Sequence, residues 1–240
     1  MLPMLTFNVL YGMMKQKLAA ILMFLGLSAA EAQDWPDLQK YRSANKEAKL
    51  LPKENRKVVF MGNSITEAWI SQRPEFFSEN GFIGRGISGQ TTPQMLLRFR
   101  QDVIDLQPKA VVILAGTNDV AQNTGPMTIE ESLANIKSMV ELAQANGITP
   151  VLCTVLPADR FSWRPELTPA ETIIALNQLI KQYAEAQGLA LVDYHAALTN
   201  KGGGLPVKYG EDGVHPNVAG YQVMENIVLP VISSELAKLK

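Results

Sequence analysis

The chain contains two histidines, and one stands where an imidazole could be put to use. In "GEDGVHPNVAGY", Asp212 precedes His215 by three residues, and Pro216 is positioned to open a helix directly after. A turn of that length can return the carboxylate to the imidazole Nδ1–H, leaving Nε2 open to take a proton from a hydroxyl. The same two residues could instead serve as a helix-capping pair. As metal ligands they are too few for a closed shell. His195, in "VDYHAAL", follows an apolar run without such a presentation. The hydroxyl to pair with His215 is sought in "VVFMGNSITEAW", residues 58–69, where an apolar run gives way to Gly62-Asn63-Ser64 and then a helix-like pattern. A serine at that junction is often only an N-cap. As a nucleophile, Ser64 would have the free N–H groups and positive dipole end of a helix beside a developing oxyanion.

Two loops can cooperate only if the fold brings them to one edge. Apolar, β-rich runs lie at 57–62, 82–86, 110–115, 148–155 and 189–194, with helix-length segments at about 66–79, 92–106, 128–146, 168–187 and 216–236. Thr128 with Glu131 makes a capping box, and Gly147 and Gly188 stand where helix C-cap glycines belong. Runs apolar throughout predict strands covered on both faces, hence a parallel sheet. Strict alternation with helices predicts an α/β, three-layer α/β/α sandwich in a single domain. Ligands of such sheets sit at the carboxyl ends of the strands. The loops there are Gly62-Asn63-Ser64, "GRGISGQTT", Gly116-Thr117-Asn118-Asp119, "LPADRFSWRPELTP" and "GEDGVHPNVAGY".

Composition narrows the class. With 240 residues, 47% of them hydrophobic, there is material for one well-buried domain. A formal charge of −1 carries no footprint for nucleic acid or an anionic membrane. The lone Cys153, inside "ITPVLCTVL", excludes an intrachain disulfide and reads as a core residue. Gly84 to Gly89 spells G-x-G-x-x-G, but after the second strand, and Lys109 stands where a ribose-binding carboxylate belongs. A P-loop and a complete G-x-S-x-G elbow are absent from the sequence.

The N-terminal stretch "MMKQKLAAILMFLGLSAAEAQ" has Lys15 and Lys17, an apolar segment from Leu18 to about Ala30, and the small-x-small pattern Ala30-Glu31-Ala32. That segment is short of the about 20 residues a membrane span needs, although an uncleaved anchor is the competing reading. The expectation is a signal peptide over 1–32, with 1–12 an over-extended start, and no stable membrane insertion of the mature chain. A polar leader with Trp35, Leu38 and Tyr41 as anchors then covers 33–55, and the catalytic domain covers 56–240. No cysteine follows to carry a lipid, so the expected location is exported, periplasmic or secreted.

Taken together, "MGNSIT", "GRGISGQTT", "AGTNDV" and "DGVHPN" resemble the four blocks of the SGNH hydrolases, also called the GDSL lipase/esterase family, in order from about residue 58 to 221. The resemblance implies a flavodoxin-like five-stranded sheet of order 2-1-3-4-5. It implies Ser64, Asp212 and His215 as the catalytic residues, and Ser64, Gly89 and Asn118 as oxyanion donors. It also implies that no metal or organic cofactor is required. Two positions depart from the usual spelling: Asn63 stands where the family name has Asp, and Gln90 where aspartate is frequent.

The family spans sugar O-acetyl esterases, lysophospholipases, thioesterases and arylesterases, so fold and triad do not choose among substrates. The loop "PADRFSWRPELTP" offers Arg160, Phe161, Trp163 and Arg164, which could stack on a sugar or pair with an acid, or simply anchor a surface loop. The expected substrate is a short-acyl, acetyl ester of a carbohydrate. The alternatives are a lysophospholipase or platelet-activating-factor acetylhydrolase-like activity, a thioesterase, and a catalytically silent carbohydrate-binding module. The sequence leaves the oligomeric state open.

Overall fold

Five short runs with scarcely a polar side chain cannot present either face to water, and each becomes a strand of one parallel sheet. In the computed structural model, which describes residues 34–239, these are β1 (Val58–Gly62), β2 (Phe82–Gly86), β3 (Ala110–Ile113), β4 (Thr149–Cys153) and β5 (Ala190–Val192). The sheet order is 2-1-3-4-5 and every pairing is parallel, as the family resemblance implies. Side chains alternate along the strands between two cores. Val59, Met61, Val111 and Ile113 join the core on one face, and Val58, Phe60, Ala110 and Val112 the core on the other. Cys153 is a buried, free thiol in the second of these cores.

The helices are α1 (Arg42–Leu50), α2 (Ser64–Gln72), α3 (Pro74–Asn80), α4 (Thr92–Asp102), α5 (Thr117–Val120), α6 (Ile129–Ala145), α7 (Pro169–Gln187), α8 (Tyr194–Leu198) and α9 (Val218–Lys238). The capping box at Thr128 and Glu131 forms, and Gly188 closes α7 in the left-handed conformation. The last three strands are shorter than the runs expected at 110–115, 148–155 and 189–194, and three helices depart further from expectation. The helix expected over 66–79 is two helices, because Pro74 lacks an N–H and pushes Arg73 out of the helical region, to φ −137° and ψ 54°. The segment expected over 92–106 ends as a helix at Asp102 and finishes in a 3-10 turn, Ile104–Leu106. The last helix begins at Val218, not at Pro216, with Asn217 as its cap.

The chain divides into units Met1–Trp35 and Pro36–Lys240, and the second holds the α/β domain. The signal peptide expected over 1–32 lies outside the described residues. Within 33–55, expected as a polar leader, residues 42–50 form α1. Its inward face is polar: buried Asn45 donates to Asp102 at 2.6 Å and accepts from Arg85 at 2.8 Å. Among the described residues no helix is long and apolar enough to cross a membrane.

Candidate active site

The sheet order makes β1 and β3 neighbours whose chains leave in opposite directions, so a crevice opens at their carboxyl ends. Ser64 is the first residue of α2, immediately beyond β1. The helix cap is Asn63, not Ser64: the Asn63 Oδ1 accepts from the Ile65 N–H at 3.0 Å. This gives the first of the two unusual residues a physical account. Asn63 is buried, and a neutral amide caps the helix without bringing a charge out of water. With capping done by its neighbour, the Ser64 hydroxyl is free to face the crevice.

His215 reaches the crevice from the loop before α9. Its Nε2 lies 2.8 Å from Ser64 Oγ, and its Nδ1 lies 2.6 Å from Asp212 Oδ2. The other carboxylate oxygen, Oδ1, accepts from the N–H groups of Val214 at 2.8 Å and His215 at 2.7 Å. Asp212 thus folds its own loop into the turn that aims the imidazole. It does not cap α9, since Asn217 does that by accepting from the Gly220 N–H. Burial disfavours the Asp212 carboxylate, but the hydrogen bonds from the His215 N–H, its ring and the Val214 N–H outweigh that, holding its carboxyl below the usual value.

Gly89 sits third in a turn closed by the Gln90 N–H donating to the Ile87 carbonyl, with φ +77°, a conformation glycine adopts without strain. The turn is pinned to α2 because both the N–H and the hydroxyl of Ser88 donate to Glu67 Oε2, at 2.7 and 2.6 Å. Asn118 lies in α5, is almost fully buried, and donates from Nδ2 to the Gln90 carbonyl at 2.9 Å. An amide has two N–H donors, so this bond orients the side chain and leaves one to spare. The neighbouring Asp119 accepts from the N–H and hydroxyl of Thr92, tying α5 to the start of α4.

Ser64, Gly89, Asn118 and His215 share one open cleft of about 350 Å³. Ser88, Asn123 and Trp163 complete its lining. Ser88 and Asn123 carry no spacing that would single them out in sequence. Asn123 donates to the Gly89 carbonyl at 3.2 Å and accepts from the Trp163 indole at 3.0 Å, so it joins the second loop to the fourth. The indole ring centre is 6.4 Å from that of His215. The rest of the fourth loop turns elsewhere. Phe161 is fully buried in the core, Arg160 pairs with Asp159, and Arg164 pairs with Glu166 and donates to the Gln122 carbonyl. Neither arginine lines the cleft. His195 is also absent from it and is the second residue of α8, whose cap is Asp193. The first two glycines of G-x-G-x-x-G serve packing: a Cβ on Gly84 would lie 2.1 Å from the Ile70 side chain and one on Gly86 2.2 Å from the Glu67 nitrogen. Among the described residues no group of three or more His, Cys, Asp or Glu side chains could hold a metal ion.

A serine, an imidazole and amide groups thus converge at the switch point of a doubly wound sheet. The chain belongs to the GDSL-like lipase/acylhydrolase family, whose model matches residues 60–223. The structure of a proposed acylhydrolase from Bacteroides fragilis is 48% identical, with a TM-score of 0.82 over 85% of this chain and 99% of that one. An acetylxylan esterase of Xylanibacter ruminicola is 28% identical over 219 residues, which is 75% of this chain and 44% of its own length. This chain therefore spans less than half of that relative. An acetylxylan esterase of Geobacillus stearothermophilus is 27% identical over 211 residues, 75% of this chain and 94% of its own.

Proposed function

We propose that this protein is an ester hydrolase that works through an acyl-enzyme on Ser64 and removes short acyl groups, acetyl above all, from carbohydrate esters. The observation that carries the mechanism is the continuous path from Ser64 Oγ through His215 to Asp212, at 2.8 and 2.6 Å. Ser64 Oγ attacks the ester carbonyl while His215 Nε2 takes its proton, and Asp212 stabilises the imidazolium. The N–H groups of Ser64 and Gly89 and the spare Asn118 N–H hold the tetrahedral oxyanion. His215 then protonates the departing alcohol. Water, deprotonated by the same imidazole, attacks the acyl-enzyme and frees the acid and Ser64.

The substrate reading rests on three supports. A cleft of about 350 Å³ is at the small end for organic ligands. Trp163, 40% exposed beside His215, offers a flat apolar wall suited to a sugar face. Two relatives are acetylxylan esterases. Export is supported by the basic and apolar pattern of residues 15–32, with the mature chain beginning near Gln33, 33–55 as its leader and 56–240 as the hydrolase domain. N-terminal sequencing of protein recovered outside the cytoplasm checks that point.

The test is a panel of p-nitrophenyl acetate, acetylated xylooligosaccharides, lysophospholipids and acyl-CoA thioesters. The highest kcat/KM is expected for an acetylated sugar. Preference for a lysophospholipid or thioester would replace the substrate reading, and a folded protein inert toward every ester would remove the mechanism. Two variants sharpen it. Asn118→Ala should lower kcat by about 10²–10³-fold with little change in KM, because the lost bond acts on the oxyanion rather than the ground state. Trp163→Ala should raise KM for acetylated sugars while leaving p-nitrophenyl acetate, which has no sugar to stack, near the parent value.

A further inference from the structure

Behind the cleft lies a fully buried guanidinium that the mechanism above does not use. Arg98, on α4, and Asp102, one turn later, are both 0% exposed and pair at 2.9 Å. A buried pair of this kind contributes little net stability, because desolvation offsets most of its attraction. Its place is better explained by where the other donors go. Arg98 Nη2 donates to the Gly62 carbonyl at 2.9 Å, two residues before Ser64. Nη1 donates to the Arg85 carbonyl at 2.9 Å, in the strand that leads into the Gly89 turn. Nε donates to the Gln90 side-chain oxygen at 2.6 Å. Gln90 follows Gly89 directly, its N–H closes the Gly89 turn, and its carbonyl accepts from Asn118.

Every partner of Arg98 other than Asp102 therefore belongs to a segment that delivers an oxyanion donor. We propose that Arg98 is a positioning residue for the oxyanion hole, fixing the Ser64, Gly89 and Asn118 donors in one rigid frame, with Gln90 as the link to the last two. Asp102 in turn holds the guanidinium, and is itself held by Asn45 of α1 at 2.6 Å. The second unusual residue of the family pattern thus has its role: a neutral Gln90 accepts from Arg98 with Oε1 and donates from Nε2 to the Pro36 carbonyl at 2.7 Å, which a carboxylate could not do. A planar fork with donors on three nitrogens reaches these separated oxygens at once, and a lysine ammonium does not.

This rests on Ser64 chemistry, so the controls come first: parent protein must hydrolyse p-nitrophenyl acetate and Ser64→Ala must not. Failure there is a failure of the proposed mechanism and is seen without any Arg98 or Gln90 variant. The test variant is Gln90→Leu, which cuts the link and leaves the Arg98–Asp102 pair intact. Activity is normalised to serines labelled by a fluorophosphonate, so partial unfolding cannot masquerade as lost catalysis. The expected result is a fall in kcat of roughly 10–10²-fold, the scale of a donor displaced by about an ångström, with KM close to the parent's. The loss should shrink markedly when Gln90→Leu is made in an Asn118→Ala background, because one of the two displaced donors is then already gone. A kcat per labelled serine equal to the parent's overturns the proposal, and so does a loss that persists in full in the Asn118→Ala background. Should Gln90→Leu melt below assay temperature, the same two readings are taken on Arg98→Lys, which keeps the buried charge.

Discussion

Ser64→Ala is expected to lower ester turnover by roughly 10⁶-fold and to abolish covalent labelling by a fluorophosphonate. The loss is that large because the imidazole and carboxylate act only through this hydroxyl; what remains is binding and the oxyanion donors acting on water. Stability should scarcely move. Asn63, not Ser64, caps α2, so the helix keeps its bond to the Ile65 N–H. What is removed is one partly exposed hydrogen bond to His215, a change of about 1 kcal/mol or less. Thermal melting alongside burst kinetics checks both halves. The sharpest counter-result would be labelling that moves to Ser88, the other serine lining the cleft. That hydroxyl donates at 2.6 Å to the Glu67 carboxylate, a much weaker base than an imidazole, so it is poorly activated. Undiminished turnover in Ser64→Ala would remove the mechanism outright.

The parts of the fold that were legible in the sequence are those governed by local chemistry. Fully apolar runs such as "VVFMG" could only be covered strands, and "GVHPN" and "MGNSIT" carry their chemistry within a few contiguous residues. What escaped was set by contacts across long sequence separations. Nothing near Asn45 marks it as the buried partner of Asp102 and Arg85, 57 and 40 residues away, so α1 read as a polar leader. Arg98 lies on an amphipathic helix where an arginine ordinarily faces water, and only the assembled loops show three carbonyl and amide oxygens waiting for it. In the fourth loop the residue types were right for a binding surface, but their direction was not readable. Of Phe161, Trp163 and the two arginines, one ring went to the core, one to the cleft, and both cations to neighbouring carboxylates. The helix cap was sought at Ser64 and lies one residue earlier, at Asn63, since both types cap well and the choice depends on one residue of backbone phase.

Asp212→Asn should lower kcat by about 10⁴-fold without unfolding the protein, and the reason is a matter of proton bookkeeping. In the parent, Asp212 accepts at both oxygens: Oδ1 from two backbone N–H groups, Oδ2 from the imidazole. An asparagine has one acceptor and one donor end. The two backbone donors fix the oxygen on their side, which turns the NH₂ toward His215 Nδ1. Facing a donor, that nitrogen must become the acceptor, so the ring proton moves to Nε2 and points at Ser64 Oγ, where a base is required. The variant would therefore keep its turn and its nucleophile but hold the wrong tautomer. Fluorophosphonate labelling should slow in step with kcat. The pH dependence of stability follows the same carboxylate. Asp212 has its carboxyl lowered in the folded protein, so its contribution to stability is present above the unfolded carboxyl value and is lost as pH falls through the folded one. Parent protein should lose stability across that acid window, and Asp212→Asn should be flatter there. A variant that retains a tenth or more of the parent rate would show that His215 takes its orientation from Val214 and the α9 loop rather than from Asp212.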